Sequence, residues 1–400
     1  MRVRITGALI AMLCAYACYW AARWAIADYT IRSSVEYALR LAPGNPDYYV
    51  LLAQVKPALA LSALQRAAEL NPLSASVWSE LAGAAEQHND FQEAERSLLR
   101  AVAVDKSFAP RWLLAEYYFR RHDQAHFWPA VRAALAASYD DITPLFEMCW
   151  ELSPDPRVIR DRALPDRPEI WRQYFDFLLS KNRQDAADEI ANDVMQHAGP
   201  DTVASLLTYC DRLLEKNQGL RAMEIWNLLA AKHLLNYPAL APGQGVSLTN
   251  GSFAKEFLSQ GFDWRVSTPD GVFFRHDTSP PGLQFDFSGK QPEQCELLSE
   301  FVPVEAAKEY RLAVNYETSG LAGDTGVAWR VVDTKSGADL LRGAGQVMAS
   351  ERLEKAQPYR FRVPADAHLV KLILAYHRLL GTVRINGSLS LGSVALSFDQ

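Results

Sequence analysis

Residues 71–104 of this 400-residue chain read NPLSASVWSELAGAAEQHNDFQEAERSLLRAVAV. Apolar and small residues recur here at intervals of three and four positions, the spacing of one face of an α-helix. Trp112 follows Trp78 by 34 positions, and His122 follows His88 by the same 34. Self-similarity at such a period indicates stacked helical units that share one extended core.

A second self-match lies further along the chain. A block containing Trp171 and Ala187 recurs 35 residues later, where Leu206, Ala222 and Trp226 occupy the equivalent positions. Between the two blocks the pattern is interrupted by several prolines. We therefore predict a continuous but irregular array of helix pairs.

The first block resembles the tetratricopeptide repeat family, in which helix A and helix B alternate large and small residues at fixed positions. Those positions are occupied by Trp78, Leu81, Ala82, Ala85, Ala94, Leu98 and Ala101. The resemblance implies an α-solenoid over residues 28–236 with five or six helix pairs, whose concave face binds a protein partner. Lys106 departs from the family pattern, because a closing proline is expected there. The alternative function is a spacer that holds the next domain away from a membrane.

Residue size explains how such helices pack. Ala94 and Ala187 are small and let neighbouring helices approach closely. Large residues are expected to fill the space between turns. These are Trp78, Trp112, Trp171 and Trp226.

The N-terminus carries an apolar stretch. Two arginines precede 23 mostly apolar residues from Ile5 to Ala27. As a helix they reach about 34 Å, enough to cross a hydrocarbon core of about 30 Å. We predict a single-pass signal anchor over residues 1–27, with the bulk of the chain in a bacterial periplasm or at a cell surface. The alternative is a cleaved signal peptide, because Ala25 and Ala27 match the small-x-small cleavage pattern.

The C-terminal part has a different period. A segment rich in proline and glycine, residues 237–247, ends the helical pattern and is predicted to be a linker. Beyond it, short runs such as Gly282–Phe287 and Tyr310–Tyr316 alternate inward apolar with outward polar residues. Seven or more such runs predict an antiparallel β-sandwich over residues 248–400. The predicted fold is therefore multidomain, with a transmembrane helix, an α-solenoid and a β-sandwich.

The sandwich segment also resembles a known family. Leu248–Phe253, Gly261–Trp264 and Leu283–Phe285 are similar to the jelly-roll carbohydrate-binding modules attached to glycoside hydrolases. The resemblance implies a glycan site, and aromatic rings stack on sugars. The candidate ligand-binding residues are Trp264, Trp329, Tyr316 and Tyr376. The alternative for each is a place in the core, since alternate strand residues point inward.

Metal and nucleic-acid binding find little support in the sequence. Ala254 and Leu391 stand where many such modules carry acidic residues that hold a structural calcium, so we predict no calcium site there. His122 and His126 are four residues apart but straddle a predicted turn. The five cysteines form no CxxC pair, and 41 basic against 47 acidic residues leave no excess that would attract nucleic acid.

Signatures of catalysis are also missing. The sequence contains no HExxH, GxSxG or phosphate-binding loop motif. We therefore predict a non-enzymatic, membrane-anchored envelope adaptor without cofactor, metal or catalytic residues. Its solenoid would bind a protein and its sandwich a glycan or a protein, in the assembly or export of a surface polysaccharide. The alternatives are a purely structural scaffold and an enzyme with an unrecognised site in the sandwich.

Overall fold

The computed structural model describes residues 2–139, 141–321, 324–349, 354–355 and 358–398. The chain divides into two compact units, residues 1–190 and 191–400. The described helices are α1 (Arg2–Thr30), α2 (Val35–Leu41), α3 (Pro46–Val55), α4 (Ala60–Leu70), α5 (Ala75–Gln87), α6 (Phe91–Val104), α7 (Phe108–Arg120), α8 (Gln124–Ala136), α9 (Thr143–Leu152), α10 (Pro156–Arg162), α11 (Pro168–Ser180), α12 (Gln184–Gln196), α13 (Val203–Glu215) and α14 (Gly219–Ala231). From α3 onward they form six successive pairs within the described ranges, which confirms the helical repeat.

The first helix is both apolar and packed at its end. Residues 10–30 of α1 are long and apolar enough to cross a membrane. Ala27 is fully buried in a small cluster with residues of α2 and α3. The Tyr48 hydroxyl of α3 donates a hydrogen bond to the Asp28 carboxylate of α1. The last turns of α1 are therefore part of the first unit.

One turn geometry closes several of the helices. After α5, Asn89 has a left-handed backbone with φ 58°, and the Asp90 amide donates to the Ala85 carbonyl at 2.9 Å. This is the Schellman type of helix end, and Asn and His tolerate its backbone better than most residues other than Gly. The residues with this backbone at the ends of α5, α7, α11, α13 and α14 are Asn89, His122, Asn182, Asn217 and His233.

Ion pairs in the first unit repeat at the period of the sequence. Arg120 of α7 lies 2.7 Å from Glu86 of α5, and Lys181, which directly follows α11, lies 2.8 Å from Glu147 of α9. Both pairs join residues 34 positions apart. Successive first helices of the pairs therefore present equivalent positions to one another.

The predicted repeat-core residues differ in their burial. Ala94 and Ala187 are fully buried. Trp78 and Trp171 are only half-buried. Each donates its indole N–H to the carbonyl of a proline six residues earlier, at 3.0 Å. Trp112 is also half-buried.

The second unit contains two antiparallel sheets. The strands are β1 (Arg265–Val266), β2 (Val272–Thr278), β3 (Pro281–Ser288), β4 (Gln294–Pro303), β5 (Glu309–Ser319), β6 (Asp324–Asp333), β7 (Gln346–Met348), β8 (Glu354–Lys355), β9 (Tyr359–Arg362), β10 (Leu369–His377) and β11 (Asn386–Phe398). One sheet has the order β1-β4-β10-β6-β7, and the other has the order β2-β3-β11-β5-β8, with β9 also paired to β5. The predicted β-sandwich is confirmed.

The last helix pair, α13 and α14, packs on the sandwich within this unit. Trp226 of α14 is fully buried, and its ring lies 5.9 Å from Phe262 and 5.5 Å from Tyr237. The predicted linker, residues 237–247, takes part in this packing. The Leu240 amide donates to the Asn227 side chain at 2.6 Å, and the Asn227 side chain donates back to the Leu240 carbonyl at 2.9 Å.

Candidate functional site

The four aromatic residues predicted to touch a ligand all lie in the sandwich core. Trp264 is fully buried, and no more than 5% of Trp329, Tyr316 or Tyr376 is exposed. Trp264 packs against Phe253 at 5.6 Å and against Trp329 at 6.4 Å between ring centroids. Because no ring face reaches solvent, these side chains are structural, which corrects their assignment as ligand contacts.

The outer face of the six-stranded sheet offers a different site. From Ser388 to Ser397 its central strand, β11, presents only small side chains outward, because the alternate residues such as Leu389 and Leu391 are buried in the core. Longer polar side chains on β3 and β5 flank this row. We call the resulting surface the β11 groove; its floor is formed by Ser388, Ser390, Ser393, Ala395 and Ser397. Over these nine residue steps a strand extends about 30 Å.

The β3 wall of the groove is a hydrogen-bonded row. Gln284 and Asp286 stand opposite Ser390 and Ser388 of the floor. The Gln284 side-chain amide donates to the Asp286 carboxylate at 2.7 Å, and Arg275 of β2 donates to the Gln284 carbonyl. These contacts fix three planar polar groups at the sheet surface. The amide both donates and accepts hydrogen bonds, the carboxylate accepts them and the guanidinium donates them. Together they suit a ligand that carries neighbouring hydroxyl groups.

The β5 wall carries a second polar row. Glu317 stands opposite Ser390, and Asn315 stands opposite Ser393. The Asn315 amide donates to the Ser393 hydroxyl at 2.8 Å. Both walls therefore combine donors and acceptors on a floor without bulky side chains.

An exposed aromatic ring lies beside the β3 wall. Phe273 of β2 stands opposite Asp286 and is 66% exposed, whereas its neighbours Val272 and Phe274 contribute to the core. Sequence reasoning missed this residue and both walls. These residues are outward members of alternating strands. The alternation predicts the strands but does not indicate which outward residues form a site.

Two buried acidic residues belong to the five-stranded sheet and its approach: Glu300 lies on β4, and Asp263 lies two residues before β1. Glu300 and Asp263 are both fully buried, and burial raises the pKa of each carboxyl. Glu300 accepts a hydrogen bond from the Thr249 amide at 2.9 Å, and Asp263 accepts one from the Tyr237 hydroxyl at 3.0 Å. These groups organise the start of the sandwich, away from the groove floor.

The His122 and His126 pair is held by local contacts. His122 occupies the left-handed turn after α7, and His126 Nδ1 lies 2.7 Å from Asp123 Oδ2. The hydrogen bond to Asp123 raises the pKa of His126. The described residues contain no group of three or more His, Cys, Asp or Glu placed to hold a metal ion.

A second candidate surface lies in the first unit. A cavity of about 290 Å³ opens between α9 and α11. The buried rings of Phe146 and Phe177 form its base, and Gln173 and Asp176 line it with polar groups.

Comparisons with known proteins give fold likenesses. No family model and no curated protein matches the chain. Over its helical part the chain is similar to solved tetratricopeptide repeat proteins, and it is also similar to a carbohydrate-binding module.

Three solved structures illustrate these likenesses. A CBM4 structure has a TM-score of 0.30 at 10% identity, covering 38% of this chain and 100% of its own. YrrB, described as a tetratricopeptide repeat protein with an unusual peptide-binding site, has a TM-score of 0.23 at 13% identity and covers 51% of this chain and 94% of its own. A tetratricopeptide repeat protein from Parabacteroides merdae has a TM-score of 0.29 at 12% identity and covers 52% of this chain and 90% of its own. At these values the likeness concerns the fold alone.

Proposed function

We propose that the chain is a non-catalytic binding protein that holds a polysaccharide along the β11 groove. The observation that carries this proposal is the row of small residues on β11, which the β3 wall flanks beside Ser388 and Ser390 and the β5 wall flanks beside Ser390 and Ser393. The floor itself is about 30 Å long, which suits an extended polymer better than a compact small molecule. Hydroxyl groups of sugars can accept from the Gln284 and Asn315 amides and donate to the Asp286 and Glu317 carboxylates.

The proposal is tested by filling the groove. Ser390 is central on the floor, so Ser390→Trp places a large ring between the two walls. The full chain in detergent or nanodiscs should lose binding to polysaccharides on an oligosaccharide array and in calorimetric titration. Ser76→Trp, at an exposed position on α5 in the first unit, is the matched control and should bind as the wild type does. Equal binding by both variants would exclude the groove as the site.

The solenoid is proposed to bind a protein segment in the cavity between α9 and α11. Gln173 lines this cavity, so a photo-crosslinking amino acid there should capture a partner in intact membranes. The same crosslinker at Gln92, an exposed position on α6, is the control. Capture of the same proteins at both positions would contradict a specific peptide site.

Anchoring by α1 completes the proposal. The helix is long and apolar enough to span a membrane, and its buried end packs with α2 and α3. A retained anchor would tether the chain to the membrane, with the part after α1 on the extracytoplasmic side. A role in assembling or exporting a surface polysaccharide follows from a glycan groove and a protein groove on one anchored chain.

An enzymatic role for the groove is the competing function. Asp286 and Glu317 are carboxylates on opposite walls. Their strands are two positions apart in the sheet, and the residues are offset by two steps, so their Cα atoms are separated by about 12 Å. In inverting glycosidases the distance between the two carboxyl groups themselves, rather than between Cα atoms, is about 6.5–9.5 Å. Release of reducing ends from a bound polysaccharide, lost in Glu317→Gln, would favour the enzyme over the binding protein.

A further inference from the structure

A cavity of about 530 Å³ lies in the first unit, between α1 and the turn that joins α2 to α3. The helix contributes Trp20, Trp24 and Asp28 to its wall. These residues follow one another at intervals of four, so they lie on one face of α1. The rest of the lining belongs to the turn and the start of α3: Ala42, Pro43, Gly44, Asn45, Pro46 and Tyr48.

This cavity lies along the outer part of the helix that is expected to cross the membrane. Residues 10–30 of α1 are long and apolar enough to span it, and Trp is enriched where hydrocarbon meets the headgroup layer. Asp28 lies about 12 Å further along the helix than Trp20. The Trp20 end of the cavity therefore faces the hydrocarbon boundary, and the Asp28 end faces the headgroups and water.

The outer end of the cavity is negatively charged. The Tyr48 hydroxyl donates a hydrogen bond to the Asp28 carboxylate, and this neutral donor leaves the carboxylate charge in place. Burial, the contact with Asp28 and the charge of Asp47 raise the pKa of Tyr48 to about 12, so its hydroxyl keeps the proton. Within the described ranges, no Lys or Arg forms a salt bridge with either carboxylate.

A positive charge stands beside the inner end. The Arg23 guanidinium lies 4.9 Å from the centre of the Trp20 ring, and its Nη2 donates to the Arg40 carbonyl at 3.0 Å. A guanidinium group has five N–H donors and binds phosphate well. Trp24, between the two charged ends, is 56% exposed. From the hydrocarbon outward, the site therefore offers a cation, an aromatic surface and carboxylates.

We propose that this cavity binds a phospholipid whose headgroup carries a primary ammonium group, with the ammonium at Asp28 and the phosphate towards Arg23. This inference rests on the proposed anchoring by α1 and is independent of the β11 groove. In such a headgroup the ammonium is outermost and the phosphate lies nearer the hydrocarbon, which is the order of the two charges along α1. A primary ammonium donates hydrogen bonds to a carboxylate and is attracted to Trp rings, whereas choline has no N–H to donate.

The first test compares lipids. The full chain is placed in nanodiscs of phosphatidylethanolamine, phosphatidylcholine and phosphatidylglycerol in equal parts, with the same acyl chains. Native mass spectrometry after transfer to detergent should show phosphatidylethanolamine retained at least about tenfold more than either of the others. Equal retention of the three, or preferred retention of phosphatidylglycerol, would overturn the lipid site and leave the anchor standing. A chain that does not enter nanodiscs would contradict the anchor, and the lipid site with it.

Two variants locate the contact. Gly44→Phe should abolish the preference, because Gly44 lines the cavity and nothing lies within 4 Å of its Cβ position. Gly83→Phe is the matched control, since Gly83 on α5 is exposed and equally open, and it should keep the preference. Asp28→Asn keeps an acceptor for Tyr48 but removes the charge, so the preference should fall about tenfold. An undiminished preference in Gly44→Phe and Asp28→Asn, or an equal loss in Gly83→Phe, would refute the site.

A soluble amine is the other source of the same chemistry. Calorimetric titration of ethanolamine into the full chain in phosphatidylcholine nanodiscs should show no saturable binding, because the lipid proposal needs the phosphate and the apolar part as well. Saturable binding that Asp28→Asn abolishes would assign the cavity to a soluble amine and overturn the lipid proposal.

Discussion

Trp226 lies so close to Gly261 that a Cβ atom at Gly261 would meet its ring at 2.6 Å. The backbone of Gly261 is left-handed as well, with φ 61°. Its amide donates to Asp211 of α13 at 2.7 Å, and Arg265 of β1 pairs with the same carboxylate. The last helix pair and the sandwich are therefore joined by a buried aromatic contact and by an ion pair.

Replacement of Gly261 tests this close contact. Gly261→Ala should lower the free energy of unfolding of the second unit by about 2–5 kcal/mol, from the left-handed backbone and the overpacked ring together. Gly289→Ala is the matched control, because Gly289 also has a left-handed backbone, φ 77°, but nothing lies within 4 Å of its Cβ position. The control should lose only about 1–2 kcal/mol. Equal losses of unfolding free energy in urea denaturation would show that the contact with Trp226 adds no penalty at position 261.

The same contact predicts how the chain can be divided. A fragment of residues 199–400 keeps α13 and α14 on the sandwich and should be soluble with one cooperative melt. A fragment of residues 247–400 uncovers Phe262, which is buried in the full chain, and should aggregate or melt many degrees lower. A shorter fragment that melts at the temperature of the longer one would show that the helices contribute nothing to the sandwich.

The packing of residues 237–247 shows a limit of sequence reasoning. Prolines and glycines correctly indicated the end of the helical repeat. They could not indicate that Leu240 is buried and that Tyr237 packs on Trp226. The period of a pattern predicts which face of an element is apolar, but not which distant element covers that face. Repeat, strands and sandwich were therefore predictable, whereas the attachment of α13 and α14 was not.

The candidate site shows the same limit within single strands. Trp329 and Tyr316 are inward residues of β6 and β5, and their aromatic rings, which can stack on sugars, were the reason to consider them as ligand contacts. In a strand the outward half of the alternation faces solvent. The outward residues include Gln284 and Asn315, and such residues are typical of any exposed sheet. Only the strand pairing shows that small residues of β11 lie between them. Strand order, which creates the groove, cannot be read from one sequence.

Two aromatic substitutions separate core from ligand contacts. Trp264→Ala leaves a cavity in the core and should cost about 3–5 kcal/mol of unfolding free energy. Phe273→Ala removes a ring that is 66% exposed, so its melting temperature should stay within a degree or two of the wild type. Polysaccharide affinity should fall in Phe273→Ala, because stacking on the sugar is lost. Unchanged affinity in the folded Phe273 variant would remove this residue from the site.

The buried position of Ala27 supports the prediction that α1 is retained. Cleavage after Ala27 would remove it from its cluster with Ala38, Ala42 and Tyr48. We expect intact-mass measurement of protein from native membranes to show a chain that retains α1. Ala27→Trp should destabilise the first helices by about 1–3 kcal/mol through overpacking, whereas Ala21→Trp, at an exposed position of α1, should not. A mature chain beginning at Asp28 would contradict the retained anchor.

The last prediction concerns pH. Burial raises the pKa of Glu300 well above its usual range; nearby Asp263 raises it further, whereas hydrogen bonds from Thr249 and the charge of Arg265 act in the opposite direction. The folded state therefore binds this proton more tightly than the unfolded chain does. The contribution of Glu300 to stability is most favourable below the ordinary carboxyl pKa of about 4.3 and declines as the pH rises through the folded-state value.

Glu300→Gln removes this titration while keeping an acceptor for the Thr249 amide. The unfolding free energy of the variant minus that of the wild type should become more positive between about pH 5 and about pH 8, as measured by urea denaturation of the full chain. Glu296→Gln is the control, because Glu296 lies on the same strand in a half-exposed pair with Lys371, and its difference from the wild type should stay nearly constant over this range. A constant difference for Glu300→Gln as well would mean that Glu300 has the same pKa in the folded and unfolded chain, and that its burial is offset by its hydrogen bonds.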